Sequence, residues 1–145
     1  MNGHTLIAVD GSDPASKALE YAAENYDGEQ LTVIHVVNPA DSLYGSMEGG
    51  YYSQELVDQA IERGEDLSEQ ARERLREAGI PDTTAIETAV ETGQPAREII
   101  EYATENDVEH IIIGSHGRSG VSRLLLGSVA EAVVRRAPIP VTIIR

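Results

Sequence analysis

The segment from Val108 to Ser128 constrains the fold of this chain more than any other part of the sequence. It begins with the β-branched run Ile111–Ile113, which is typical of a parallel strand buried on both faces. Glycines follow at Gly114, Gly117, Gly120 and Gly127. Ser128 then opens a Ser-x-x-Glu sequence, which predicts a capping box at the start of a helix. A strand, a glycine-rich loop and a helix N-terminus in this order offer free backbone N–H groups to an anion, usually a phosphate.

The spacing of the glycines distinguishes this loop from two common phosphate-binding motifs. A Walker A loop requires a Gly-Lys pair, and the chain contains none. The Rossmann fingerprint G-x-G-x-x-G is also absent. Two residues separate Gly114 from Gly117, and nine separate Gly117 from Gly127-Ser128. This spacing resembles the G-x2-G-x9-G-[S/T] signature of the universal stress protein family, specifically its ATP-binding branch, and the resemblance covers nearly the whole chain.

Length and composition predict a single domain of an intracellular type. A chain of 145 residues buries roughly two-thirds of its unfolded surface as one domain, so we expect residues 1–145 to form one domain, which the resemblance implies is a nucleotide-binding domain. The absence of cysteine excludes disulfides and thiolate metal sites. The first apolar run, Leu6–Val9, is too short for a signal peptide, and no run reaches the ~18 apolar residues of a membrane span. We therefore expect a cytoplasmic protein.

The charge balance disfavours two classes of partner. Asp and Glu number 25 against 11 Lys and Arg, which gives a net charge of −14. So acidic a chain repels nucleic-acid backbones and anionic membranes, and we expect it to bind neither. Lys17 is the only lysine, and Phe and Trp are absent. This composition favours a halophilic source, with an ordinary acidic mesophilic protein as the alternative.

Strand and helix signals alternate along the chain. Apolar runs predict five strands, at Leu6–Val9, Leu31–Val37, Thr84–Val90, Ile111–Ile113 and Val141–Ile144. Helix starts are predicted at Asp13-Pro14 with Asp13 as N-cap, after Ser53, at Gln94-Pro95 and at Ser128. The segment Ala40–Ser53 has no periodicity and predicts a long loop. The pattern predicts an α/β fold: a doubly wound, five-stranded parallel sheet with helices on both faces, Rossmann-like in type. Connectivity leaves the strand order open, and the family resemblance implies the order 3-2-1-4-5.

In that order, the chain changes direction between strands 1 and 4, where open α/β sheets bind ligands. The ends of the two strands, Ala8-Val9-Asp10 and Ile113-Gly114, would then lie side by side. The Asp10 carboxylate suits a hydrogen bond from a sugar hydroxyl. The resemblance further implies that Asp10 belongs to a nucleoside site and that the Val36 backbone contacts adenine. It also implies that a triphosphate lies along Gly114, Gly117, Gly127, Ser128 and Val129.

Each of these residues also has a simpler interpretation. Asp10 alternatively caps the turn before helix 1, and Gly114 and Gly117 alternatively serve only as turn glycines. The Ser128 hydroxyl either caps the helix or faces a phosphate. Arg118 either reaches the phosphates or is solvated. His116 has no paired acid or nucleophile in the loop, so we predict no catalytic residue.

Three classes of function fit these features. The first is a stress-response regulatory protein that binds ATP or another adenine nucleotide with little or no turnover. Mg²⁺ or Mn²⁺ would be carried on the phosphates. The second is a slow ATPase or nucleotide hydrolase, disfavoured because the sequence has no P-loop lysine and no Ser-His-Asp arrangement. The third, a nucleotide-free interaction module, is disfavoured by the intact glycine motif. We also expect a homodimer through Val141–Ile144, which the implied order places at the sheet edge.

Overall fold

The computed structural model describes residues 3–25, 28, 30–40, 54–115 and 126–145. In these residues, five strands alternate with four helices. Their bounds are β1 His4–Ala8, α1 Asp13–Asn25, β2 Gln30–Val37, α2 Gln54–Glu77, β3 Ala85–Thr92, α3 Pro95–Glu105, β4 His110–Gly114, α4 Ser128–Arg136 and β5 Val141–Ile144. Pro39 and Ala40 are also helical, and the remainder of the predicted long loop, residues 41–53, lies outside the described residues. None of the described helices is both long and apolar enough to span a membrane.

All five strands are parallel, and their order is β3-β2-β1-β4-β5. The predicted fold class and the implied strand order are therefore both confirmed. β1 is the central strand: Ile7 pairs with Val33 of β2 on one side and with Ile112 of β4 on the other. The chain thus changes winding direction between β1 and β4, and the carboxyl ends of these strands open a crevice.

The pleat of the sheet divides the core into two layers. One face packs Ile7, Val33 and Ile112 against α1 and α2. The other face packs Leu6, Ile34 and Ile111 against α3 and α4. All six side chains are at most 3% exposed. A strand covered on both faces needs apolar residues at consecutive positions, which explains why the strand sequences do not alternate.

For two helices the N-cap residue immediately precedes the predicted one. Ser12, and not Asp13, caps α1, because the Ser12 Oγ accepts the backbone N–H of Ala15 at 3.3 Å. Gly127, and not Ser128, is the N-cap of α4, and this glycine has no side chain with which to cap the helix. The predicted capping box is therefore wrong. An N-cap residue needs extended backbone, which Gly127 has (φ −66°, ψ 161°), whereas Ser128 is already the first helical residue.

Gly114 allows the end of β4 to approach the start of α1. A Cβ at this position would lie 2.7 Å from Pro14 Cβ and 2.9 Å from the Pro14 carbonyl carbon. Both distances are shorter than real Cβ contacts allow, and backbone cannot move aside as a flexible side chain can. Packing alone therefore requires glycine at position 114, whether or not a ligand lies next to it.

We predict that Gly114→Ala lowers the free energy of unfolding by about 1–3 kcal/mol, the usual cost of overpacking. Chemical denaturation of the two proteins measures the difference. The sign of the change is decisive. The φ angle of Gly114 is not among the positive values, and Gly→Ala at a compatible φ ordinarily stabilises a protein by about 0.4–1 kcal/mol. A stabilised Gly114→Ala protein would contradict the close packing against Pro14.

A second prediction concerns salt. The ion pairs among the described residues are surface pairs, such as Arg72–Glu69 and Arg135–Glu131, which contribute little each. They cannot offset the repulsion of a net charge of −14. We therefore expect the melting temperature to rise substantially from ~0.1 M to ~2 M KCl as repulsion is screened. Calorimetry at a series of KCl concentrations tests this, and a flat dependence would favour the ordinary mesophilic interpretation.

Candidate functional site

A cleft of about 1160 Å³ opens at the carboxyl ends of the strands. Its floor is formed by the ends of β1, β2 and β4, and its walls by α2 and the first turn of α4. The cleft lies at the switch point because the chain leaves β1 toward one face of the sheet and leaves β4 toward the other.

The structure brings together nine of the residues that the sequence analysis assigned to a site. These lining residues are Ala8, Val9, Asp10, Val36, Ile113, Gly114, Gly127, Ser128 and Val129. The other two, Gly117 and Arg118, lie outside the described residues, as does His116. Two segments more than 100 positions apart in the sequence therefore meet in one cleft, and their contact with a ligand remains a prediction.

On the β1 side, the turn after the strand fixes the orientation of Asp10. The Asp10 Oδ1 accepts the backbone N–H of Ser12 at 2.9 Å, and Gly11 has φ +82°, a conformation that favours glycine. The half-buried Asp10 therefore has the turn-capping role that was its simpler interpretation, and its contact with a ligand remains a prediction. Its carboxylate stabilises the turn before α1 and also lines the cleft, where it could accept a hydroxyl hydrogen.

Across the cleft from Asp10, the first turn of α4 presents backbone donors that have no partner among the described residues. The N–H groups of Ser128, Val129 and Ala130 have no partner within the helix, and no side chain caps them. All three residues line the cleft. The preceding residue is anchored, since the N–H of Gly127 donates to the Ser115 carbonyl at 2.6 Å. Because an exposed helix start carries partial positive charge, this wall of the cleft suits an anion.

The third element is the backbone of Val36 in β2, which has no strand partner on the β1 side among the described residues. The ladder between β1 and β2 ends where the N–H of Val9 donates to the Ile34 carbonyl at 2.9 Å. The Val37 carbonyl bonds toward β3. Because successive residues of a strand direct their backbone groups to opposite sides, the N–H and C=O of Val36 point to the side that β1 has left. They offer one donor and one acceptor to a planar ring in the cleft.

The sequence analysis missed the wall that α2 contributes. Its lining residues are Leu56, Gln59, Ala60, Arg63, Gly64, Asp66, Leu67 and Gln70. Leu56 is 37% exposed, whereas its neighbour Val57 is buried in the core. The signal was present in the sequence: adjacent apolar residues at the start of an amphipathic helix make its apolar face too wide for the core alone.

His35, which has no obvious role in the sequence, also lines the cleft. Its Nδ1 lies 2.9 Å from the Val9 carbonyl oxygen. A carbonyl only accepts, so Nδ1 carries the hydrogen and donates. The ring lies beneath α2 at Gly64, where a Cβ would approach its Cδ2 to 2.6 Å. The imidazole therefore joins the end of β1, the end of β2 and the middle of α2.

Comparisons of sequence and of structure with known proteins identify the same family over nearly the whole chain. The model of the universal stress protein family matches residues 1–145. Universal stress protein YxiE of Bacillus subtilis is 33% identical, over 97% of each chain. Among solved structures, hypothetical protein MJ0577 superposes with a TM-score of 0.81 at 26% identity, over 99% of this chain and 96% of the other. The universal stress protein of Archaeoglobus fulgidus in complex with dAMP superposes with a TM-score of 0.67 at 26% identity, over 100% and 98% of the two chains.

The sheet order, the position of the cleft and the match over the full length agree, and the chain belongs to the universal stress protein family.

Proposed function

We propose that the cleft binds an adenine nucleotide, ATP or a related one, and that the protein is a stress-response regulator of the family's ATP-binding branch. The observation that best supports this is the pairing of the uncapped start of α4 with the Asp10 turn across a single cleft. An anion-binding wall facing a hydroxyl acceptor suits a phosphorylated sugar. We propose cytoplasmic location and a halophilic source on the grounds of composition alone.

The three elements of the cleft match the three parts of a nucleotide. Adenine would meet the free N–H and C=O of Val36, against the apolar wall of Leu56 and Ala60. The ribose would lie at the Asp10 carboxylate. The phosphates would accept hydrogen bonds from the N–H groups at the start of α4. The Ser128 hydroxyl would lie beside them, because it does not cap the helix. The dAMP complex of the Archaeoglobus fulgidus relative supports an adenine nucleotide as the ligand class.

A divalent cation would accompany a triphosphate. Mg²⁺ usually keeps several waters and is held largely by phosphate oxygens, and we extend the same expectation to Mn²⁺. The described residue that fits this arrangement is Ser128, by its exposed hydroxyl at the phosphate end of the cleft. When bound, the cation would neutralise phosphate charge.

We propose little or no turnover because two candidates for proton transfer among the described residues of the cleft, Asp10 and His35, already make hydrogen bonds within the protein. The Asp10 Oδ1 accepts from the Ser12 backbone, and the His35 Nδ1 donates to the Val9 carbonyl. A slow ATPase or nucleotide hydrolase is the alternative. Incubation of the pure protein with ATP, followed by chromatography of ADP and AMP, separates the two. We expect less product than protein on a molar basis, whereas repeated turnover, even far below the ~1 s⁻¹ of typical enzymes, would favour the hydrolase.

The backbone of α4 provides a sharp test of the phosphate site. Ser128→Pro removes one unpaired N–H at the first helical position, where proline is well tolerated. Gly127 already has the extended backbone that a following proline requires. The fold should therefore persist while one charge-assisted hydrogen bond is lost, and we expect ATP affinity to fall roughly ten- to hundredfold. Calorimetric titration measures the affinity.

Two controls accompany this variant. Ser128→Ala removes the hydroxyl but keeps the N–H, so it should weaken ATP binding less than Ser128→Pro does. Adenosine, which has no phosphate, should bind Ser128→Pro and the unchanged protein equally. Equal loss of ATP and adenosine would contradict the phosphate position. If the unchanged protein neither binds an adenine nucleotide nor releases one on denaturation, the nucleotide-free alternative is correct.

We further propose that the protein forms a homodimer through β5. This strand is at the edge of the sheet, and its four residues are only half-buried. Val134 of the neighbouring helix is 45% exposed. An apolar edge strand with unpaired backbone groups favours pairing with a second chain.

The expected particle has twice the 15.6 kDa mass of one chain, measured by light scattering at micromolar concentration in high salt. Ile143→Pro removes an N–H from the outer edge of β5, because Pro140 and Ile144 direct their carbonyls to β4 and successive residues alternate sides. It should shift the particle toward the monomer, since proline cannot donate to a strand pair. A monomer in the unchanged protein under the same conditions would contradict the proposal.

A further inference from the structure

We propose that His35 is a positioning residue, which holds the exit of β1 so that Asp10 can recognise the ribose hydroxyls of the ligand. This inference rests on the proposed nucleotide site. It assigns a role in ligand selectivity to a side chain that would touch neither the phosphates nor the sugar. Three observations lead to it: the partner of the imidazole, the place where the ladder stops, and the missing side chain at Gly64.

The imidazole holds the residue immediately before Asp10. Its Nδ1–H donates to the Val9 carbonyl at 2.9 Å, and the N–H of Val9 donates to the Ile34 carbonyl at 2.9 Å. Both backbone groups of Val9 are therefore tied to β2. Asp10 follows directly, and its own Oδ1 is held by the Ser12 N–H. The position of the carboxylate is thus determined on both sides, by His35 before it and by Ser12 after it.

The same hydrogen bond ends the ladder. In a parallel pair, the carbonyl of Val9 would next accept from the N–H of Val36 and extend the sheet by one step. That carbonyl instead accepts from the His35 side chain, and the backbone bonds of the described residues include none between Val36 and Val9. The chain can then turn at Gly11 into α1. His35 therefore replaces a backbone partner at the point where β1 must leave the sheet.

The place for the ring exists because residue 64 of α2 is glycine. A Cβ there would lie 2.6 Å from His35 Cδ2, 3.3 Å from Val90 Cγ1 and 3.5 Å from His35 Nε2. Glycine is unfavourable in the interior of a helix compared with alanine, so its presence in the middle of α2 indicates a packing need. That need is space for the imidazole, because a Cβ at residue 64 would displace the ring.

The test compares two ligands that differ only in the ribose hydroxyls, AMP and 2′,3′-dideoxyadenosine monophosphate. His35→Leu should weaken AMP binding about two- to tenfold, the effect of one neutral hydrogen bond. It should leave binding of the dideoxy ligand unchanged, because that ligand gives Asp10 no hydroxyl. Asp10→Ala should show the same selectivity. In the double variant, the loss should be no greater than in Asp10→Ala alone, since His35 acts through Asp10.

Three further variants protect this test from a trivial loss of structure. His35→Asn keeps a donor near the position of Nδ1 and should restore AMP binding. Gly64→Ala leaves the histidine in the sequence but displaces its ring, and it should show the same hydroxyl-dependent loss even though alanine favours the helix. His110→Leu is the matched control: its Nε2 bonds to the Thr142 Oγ1 at the opposite end of the sheet, and it should affect both ligands equally or not at all.

The outcomes separate this inference from the proposed function. An equal loss of both ligands in His35→Leu, or a loss that persists undiminished in the Asp10→Ala background, would overturn the positioning role while leaving the nucleotide site intact. Failure of the unchanged protein to bind AMP, ATP or the dideoxy ligand would overturn both.

Discussion

The early end of β1 is the constraint on which the rest of the site depends. β2 continues for three residues beyond the last residue that pairs with β1, so the central strand of the sheet is shorter than its neighbour. The difference creates the floor of the cleft and leaves backbone groups of Val36 without a strand partner. The backbone groups of Val9 still need partners: its N–H donates to the Ile34 carbonyl, and its carbonyl accepts from the His35 ring.

The net charge of the chain makes the chemistry of the α4 wall informative. A protein with a charge of −14 repels anions at a distance, and the cleft itself contains the carboxylates of Asp10 and Asp66. Arg63 is the side-chain cation among the described residues that line the cleft. Local attraction for an anion therefore has to come largely from oriented N–H groups, whose partial charges act within the first helical turn. Such attraction is short in range, and it adds no cation to the surface.

The sequence predicted the fold well because two simple signals dominate it. Apolar runs bounded by Gly and Pro identify every strand to within about two residues, the usual uncertainty of element ends. The alternation of strand and helix then predicts a parallel sheet. The order of the strands was not available from these signals, because connectivity allows several orders, and it came from the resemblance alone.

The site was predicted less completely, for physical reasons that particular residues show. The prediction of Val36 came from the resemblance alone, because a contact made through the backbone carries no side-chain signature. The N-caps at Ser12 and Gly127 depend on where the backbone becomes helical, which a Ser-x-x-Glu pattern does not determine to one residue. The role of Gly64 depends on the position of His35, 29 positions earlier in the sequence, and only the folded chain brings the two together.

The uncapped start of α4 has a consequence for how such a protein changes over evolutionary time. The proposed recognition of an anion by main-chain N–H groups would not be encoded by any single side chain, so most substitutions at exposed positions of the helix would leave it unaltered. The surface of the molecule is then free to gain or lose carboxylates as the salinity of its surroundings changes. If the proposed site is correct, adaptation to an ionic environment would act on surface side chains while retention of a ligand would depend on backbone N–H groups, so the two traits would be separable.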